Sequence, residues 1–107
     1  MSEQYYYSDS INQLITEIPA DTIVSRTFHT RDGLKAILFG FAAGQELSEH
    51  TASVPAVIHI LSGEATLTLG ADRFEASTGA WASMPPNIPH SILAHTPVKM
   101  LLLMLKA

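Results

Sequence analysis

The 107-residue chain contains no cysteine, which excludes disulfide bonds, a thiolate nucleophile and sulfur-ligated metals. Charged residues make up only 15% of the sequence, and its six Lys and Arg are scattered, so no basic cluster for DNA or RNA is present. The longest apolar run, Met100 to Leu105, is far shorter than the ~20 residues that a membrane-spanning helix needs. We therefore expect neither a nucleic-acid nor a membrane partner.

The N-terminal part of the chain differs in composition from the rest. Residues 1–7 have neither the basic nor the apolar segment of a signal peptide, so the expected location is the cytoplasm. Ile11, Leu14 and Ile15 recur at helical spacing, but Pro19 limits that pattern to a short helical turn. The interpretation is an N-terminal arm or lead-in at residues 1–20 and a single domain at residues 21–107.

The remainder of the sequence has the pattern of an all-β protein, because short β-branched, aromatic and aliphatic segments alternate with turn residues. Asp32-Gly33 predicts a hairpin between strands at 22–30 and 34–43. Further strands are expected at residues 57–61, 65–69, 73–76, 80–84, 90–94 and 98–105. The first two of these, and the last two, are predicted to form hairpins. Nine or ten short strands with almost no helix predict a double-stranded β-helix, the jelly-roll barrel.

The apolar content of 47% is more than a core of this size requires. The strand that contains residues 100–105 is apolar on both faces, and only one face can fill a barrel. We therefore expect a second copy of the chain to cover the other face, giving a homodimer.

Two segments about forty residues apart end on a histidine beside an apolar strand. They are Gly44 to His50 and Pro85 to His90. No Gly-x-Ser-x-Gly elbow or phosphate-binding glycine loop appears elsewhere, so hydrolase and kinase chemistry have no support. His29, His59 and His95 are interpreted as surface or structural residues.

These segments resemble the two sequence motifs of the cupins, and the resemblance covers about residues 34–105. The glycines, proline and histidines that stand at matching spacing are Gly44, His50, Gly63, Gly79, Pro85 and His90. The resemblance identifies the chain as a small single-domain cupin with an RmlC-like jelly roll, and it implies a metal with four protein ligands. Ala52 and Ala56 stand where a histidine and a glutamate of that set belong, so only two ligands are present. Asn87 replaces a glycine, and it is expected to keep a left-handed turn.

The expected site is a small, mostly apolar pocket with two polar ends. The site is expected to hold either no cofactor or a weakly bound divalent transition metal, with His50 and His90 as ligands. Glu46 is a candidate for a further ligand, because it has the matching strand parity. The expected partner is a small organic molecule, and the residues expected to contact it are His50, His90, Ala52, Ala56, Ile58 and Met84. Trp81 is a core anchor, an interface contact or a pocket wall.

Two alternatives stay open at the level of sequence. The first is a metal-dependent cupin enzyme of the dioxygenase or isomerase type, with His50 and His90 as ligands. The second is an oligomerising module whose pocket has no role.

Overall fold

The computed structural model describes residues 4–106, which form one short 3-10 helix at Ile11–Leu14 and nine strands. The strands are β1 Ile23–Arg31, β2 Leu34–Phe41, β3 Glu46–His50, β4 Ala56–Ser62, β5 Ala65–Leu69, β6 Asp72–Ala76, β7 Trp81–Met84, β8 His90–Ala94 and β9 Val98–Leu105. The predictions of an all-β chain and of a short helical turn are confirmed. Among the described residues, no helix is long and apolar enough to cross a membrane.

The strands form two sheets, with the order β1-β2-β9-β4-β7 in the five-stranded sheet and β3-β8-β5-β6 in the four-stranded sheet. All paired neighbours are antiparallel. Apart from the β1-β2 and β5-β6 hairpins, consecutive strands lie in different sheets, and this order is consistent with a jelly roll. The predicted β1-β2 hairpin is confirmed, and Gly33 takes the positive φ of 83° that its turn requires.

Two predicted hairpins are wrong. β4 and β5 lie in different sheets, and so do β8 and β9, because the connections after β4 and after β8 carry the chain from one sheet to the other. The first connection contains Gly63, which has φ of 101° and lies directly against the Pro97 carbonyl of the second. A side chain at position 63 has no room, so this glycine allows the two connections to pack together.

The hydrophobic core lies between the sheets. β4, β5, β8 and β9 contribute alternate residues to it, as the period of a strand requires. Phe41, Ile60 and Val98 are fully buried there, and Met100 nearly so. This packing leaves the opposite face of each sheet to solvent or to another element.

The N-terminal segment lies against the outer face of the five-stranded sheet. Ile15 is buried, and the Ile18 side chain occupies the space above Gly40 of β2. The Lys99 ammonium of β9 donates to the Asn12 carbonyl at 2.6 Å. The Tyr6 ring stacks on His29 of β1, with centroids 4.9 Å apart. This segment therefore covers part of the face for which the sequence predicted a second copy, and the homodimer stays a prediction that a solution mass measurement checks.

Candidate functional site

His50 and His90 lie side by side at one end of the four-stranded sheet. His50 is the last residue of β3, His90 is the first of β8, and the two are directly paired across these strands. Their ring centroids are 4.1 Å apart, with the planes inclined at 58°. The structure thus brings the two predicted imidazoles together because they are cross-strand neighbours.

The backbone fixes the orientation of both rings. Nδ1 of His50 lies 2.8 Å from the Ser48 carbonyl oxygen, and Nδ1 of His90 lies 2.8 Å from that of Ile88. A carbonyl oxygen only accepts hydrogen bonds, so each Nδ1 must carry the proton and donate. In the neutral imidazole the free lone pair is then at Nε2. Both rings therefore offer a hydrogen-bond acceptor, or a metal ligand, at the same atom.

The two rings border a small cavity of about 20 Å³. His90 is only 7% exposed, whereas His50 is exposed at the edge of the sheet. The other residues that line the cavity are Leu47, Ile58, Leu67, Ser91, Ile92, Met100 and Leu102. Its volume is about that required by one water molecule or one polar head group.

Of the other predicted contact residues, only Ile58 lines this cavity. The prediction placed positions 50, 52 and 56 on one inward strand face, but β3 ends at His50 and β4 begins at Ala56. Ala52 lies in the intervening loop, where its carbonyl accepts from the Asn87 amide at 2.8 Å. Ala56 is buried in the core, opposite Met84 on the neighbouring strand β7.

The structure does not bring Glu46 to the histidine pair. A register shift between Leu47 and His50 breaks the alternation on which the parity argument depended. Leu47 lines the cavity, while Glu46 pairs with Leu93 and is exposed. Within residues 4–106, no group of three or more His, Cys, Asp or Glu is placed to hold a metal. The donor set therefore does not fit the four-ligand metal centre of cupins.

The remaining histidines contribute to other parts of the surface. His59 faces the outer side of β4, opposite Trp81. Nε2 of His95 lies 2.6 Å from the Thr66 hydroxyl and 3.5 Å from Glu75. None of them lines the cavity at His50 and His90. Asn87, where the motif has glycine, has φ of 68°, which confirms the predicted left-handed turn.

Sequence reasoning missed most of the apolar wall of the cavity, including Leu47, Leu67 and Met100. Alternation within β5 and β9 indicates that Leu67 and Met100 face inward. Only the pairing of these strands in the sheets shows that both lie beside the histidines. The carbonyl groups that orient the rings left no signal in the sequence, because every residue type supplies one.

The two facing sheets form a small β-sandwich, with a pair of oriented imidazoles beside a cavity of about 20 Å³ at one end. The sequence profile of the cupin domain matches residues 37–105, and the chain belongs to this family. No curated protein matches the chain.

Solved structures support the same assignment. The chain is 26% identical to a cupin superfamily protein from Desulfitobacterium hafniense, with 91% of this chain and 88% of that chain covered and a TM-score of 0.83. It is 29% identical to a conserved protein of unknown function from Streptococcus pyogenes, with 100% and 91% covered and a TM-score of 0.82. A DMSP lyase from Ruegeria pomeroyi is 21% identical, with 80% and 48% covered and a TM-score of 0.74, and that likeness shows the fold alone. The fold therefore does not by itself assign a role to the chain.

Proposed function

We propose that this cupin binds a small organic molecule between its sheets, without a full metal centre, and that Nε2 of His50 and His90 accept hydrogen bonds from the ligand. The observation that carries the proposal is the anchoring of both Nδ1 atoms by backbone carbonyls, which leaves two acceptors beside one cavity. A site of this kind selects a ligand with a hydrogen-bond donor, such as a hydroxyl or an amine.

The size of the cavity limits how such a ligand sits. The enclosed space of about 20 Å³ takes only the polar head group. Because His50 is exposed and His90 is buried, the head group reaches His90 and the rest of the molecule leaves past His50. Both sheets line the cavity, so the proposed site is a pocket of the jelly-roll barrel that the sequence predicts.

A matched pair of probes tests this proposal. Cyclohexanol has a donor, whereas cyclohexanone has the same apolar body and only an acceptor. We expect cyclohexanol, and not cyclohexanone, to shift the Nε2 resonances of His50 and His90 in long-range ¹H–¹⁵N spectra. His90→Ala should remove the response, and His59→Ala, outside the cavity, should retain it. Equal shifts from both probes, or a response that survives His90→Ala, would contradict the proposal.

A metal-dependent enzyme of the dioxygenase or isomerase type is the second candidate. The observation that favours it is the same orientation of Nε2, because a metal-ligating histidine commonly donates its other ring N–H to a carbonyl. Titration with ZnCl₂ and NiCl₂ distinguishes the two. Stoichiometric binding tighter than about 1 µM, lost in both His50→Ala and His90→Ala, would replace the first proposal by this one. Weak binding of either ion would support a site without a resident metal.

A further inference from the structure

A larger cavity lies at one end of the five-stranded sheet, beside the turn between β1 and β2. Its volume is about 560 Å³, within the range typical of small-molecule sites. We name it the end pocket, and it shares no lining residue with the small cavity at His50 and His90. The end pocket is lined by residues 30–35, by Ser53 and Val54, and by Met104 and Lys106.

The end pocket lies on the inner face of its sheet. One cross-strand row, whose side chains share a face, consists of Ala56 of β4, Met104 of β9, Lys35 of β2 and Thr30 of β1. Ala56 belongs to the core, so this face is the one turned toward the other sheet. Thr30 and Lys35 are nevertheless exposed, and Met104 is only partly buried. The four-stranded sheet therefore does not cover this end of the inner face, and space remains there.

Backbone pairing continues past the end of β9 and places Lys106 next to this row. The Lys106 amide donates to the Gly33 carbonyl at 3.0 Å. By the two-residue period of a strand, position 106 falls on the same face as Met104. Lys35 is directly opposite Met104, so the two lysines are diagonal neighbours, a spacing that long side chains can bridge.

The lining of the end pocket is positive, although the whole chain has a net charge of -4. Three of the six Lys and Arg line it, namely Arg31, Lys35 and Lys106. Asp32 is the one acidic side chain among the described residues that line it, so three positive charges and one negative charge give a net +2. A concave site of this sign in an acidic protein favours an anion.

Two of these three cations are available to a ligand. The Arg31 guanidinium donates to the Gln4 carbonyl at 2.9 Å, so it is already engaged. Lys35 and Lys106 form no ion pair with a carboxylate of residues 4–106. A lysine ammonium on its flexible stem turns toward an oxygen anion within reach, and the stem itself adds apolar surface.

We propose that the end pocket binds a small organic carboxylate, whose carboxylate group lies between Lys35 and Lys106 and whose hydrocarbon body lies against Val54 and Met104. Each ammonium group donates to one carboxylate oxygen, which gives two charge-assisted hydrogen bonds. The apolar contacts favour this ligand over a small inorganic anion, which has no hydrocarbon body to bury. This site is independent of the proposed function at His50 and His90.

Two methionines make the proposal testable, because Met104 lines the end pocket and Met100 lines the histidine cavity. The full chain, labelled with ¹³C at its methionine methyl groups, is titrated with cyclohexanecarboxylate, cyclohexanecarboxamide and inorganic phosphate. The carboxamide has the same shape without the charge, and phosphate has charge without the apolar body. We expect cyclohexanecarboxylate to shift the Met104 methyl resonance and to bind about five-fold tighter than either other probe, with Met100 unshifted.

Variants of the two lysines test their assignment. Lys35→Met and Lys106→Met each remove a charge from an exposed position and keep an unbranched side chain, so the fold should be retained, which circular dichroism checks. Each should weaken carboxylate binding about three-fold, and the double variant should bind the carboxylate no better than the carboxamide. Arg73→Met is the control, because it removes one positive charge from β6, in the other sheet.

Several results would overturn the proposal. The site itself is contradicted if no probe shifts the Met104 resonance. The carboxylate assignment is contradicted if the carboxamide or phosphate binds as tightly as the carboxylate, if the double variant retains wild-type affinity, or if Arg73→Met weakens binding as much as Lys35→Met. A carboxylate that shifts Met100 instead of Met104, with an effect that disappears in His50→Ala, would place the ligand at the histidine pair and also overturn the proposal.

Discussion

Two regions of the same interior differ in how completely side chains fill them. Around His50 and His90, large residues such as Met100 leave about 20 Å³, whereas three alanines between β6 and β7 leave about 360 Å³. The histidines of the family motifs lie in the filled region. The difference shows that motif residues locate polar chemistry, while small inward residues on edge strands locate free volume.

The largest effect is expected from a change in the sheet packing on which both regions depend. Gly63→Ala places a Cβ against the Pro97 carbonyl at positive φ, where the two connections between the sheets meet. We expect it to reduce the free energy of unfolding by about 3 kcal/mol, measured by urea denaturation. Gly70→Ala is the control, because Gly70 also has positive φ but its Cβ would meet nothing within 4 Å. Equal losses in the two variants would contradict this explanation.

The packed region around His50 and His90 should lose much stability when one of its side chains is truncated. Met100 is almost fully buried and lines the histidine cavity, so Met100→Ala is expected to cost about 3 kcal/mol. The neighbouring Leu101 faces the outer side of the same strand and is only partly buried. Leu101→Ala should therefore cost about half as much in the same denaturation experiment. A larger loss for Leu101→Ala would contradict this expectation and would show that the outer face is covered more completely than by the N-terminal segment alone.

The two regions should respond in opposite ways to added volume. Ala56→Leu inserts three carbon atoms into a packed part of the core and should destabilise the protein by about 2 kcal/mol. Ala82→Leu inserts the same atoms into the cavity of about 360 Å³ between β6 and β7, and should change stability by less than about 1 kcal/mol, or increase it. Thermal and urea unfolding check both. Similar losses for the two variants would mean that the cavity between β6 and β7 cannot accept a larger side chain.

The smallest effect is expected at the histidines. His90→Ala removes one side-chain hydrogen bond, to the Ile88 carbonyl, from a buried position and should cost about 1 kcal/mol. His50→Ala removes the equivalent bond from an exposed position and should cost less, about 0.5 kcal/mol. A loss above about 3 kcal/mol in either variant would indicate that the pair stabilises the fold rather than a ligand.

Local patterns in the sequence were sufficient to predict strands, because alternation and turn residues act over a few positions. They predicted the β1-β2 hairpin from Asp32-Gly33 but wrongly joined β4 to β5 and β8 to β9. A turn sequence does not show whether the next strand pairs with the previous one or crosses to the facing sheet. That choice depends on which faces are buried across the whole chain.

The sequence also predicted only part of the site. The motif spacing selected His50 and His90, whose rings are adjacent in the structure. Period-two counting predicted the inward position of Ala56, which is buried in the core, but it does not hold at positions 46 and 52, because a register shift within β3 and a loop after it break the alternation. The cavity between β6 and β7 was not predicted, since its volume arises from residues of β4, β5, β6 and β7 that only the sheet order brings together.

The most direct test of the central claim is the protonation of the two imidazoles, measured by long-range ¹H–¹⁵N correlation at a pH where both are neutral. The hydrogen bonds to Ser48 and Ile88 predict that both rings carry the proton on Nδ1 and have a free lone pair on Nε2. A proton on Nε2 of either ring in the free protein would contradict the claim that this pair offers two acceptors to a ligand.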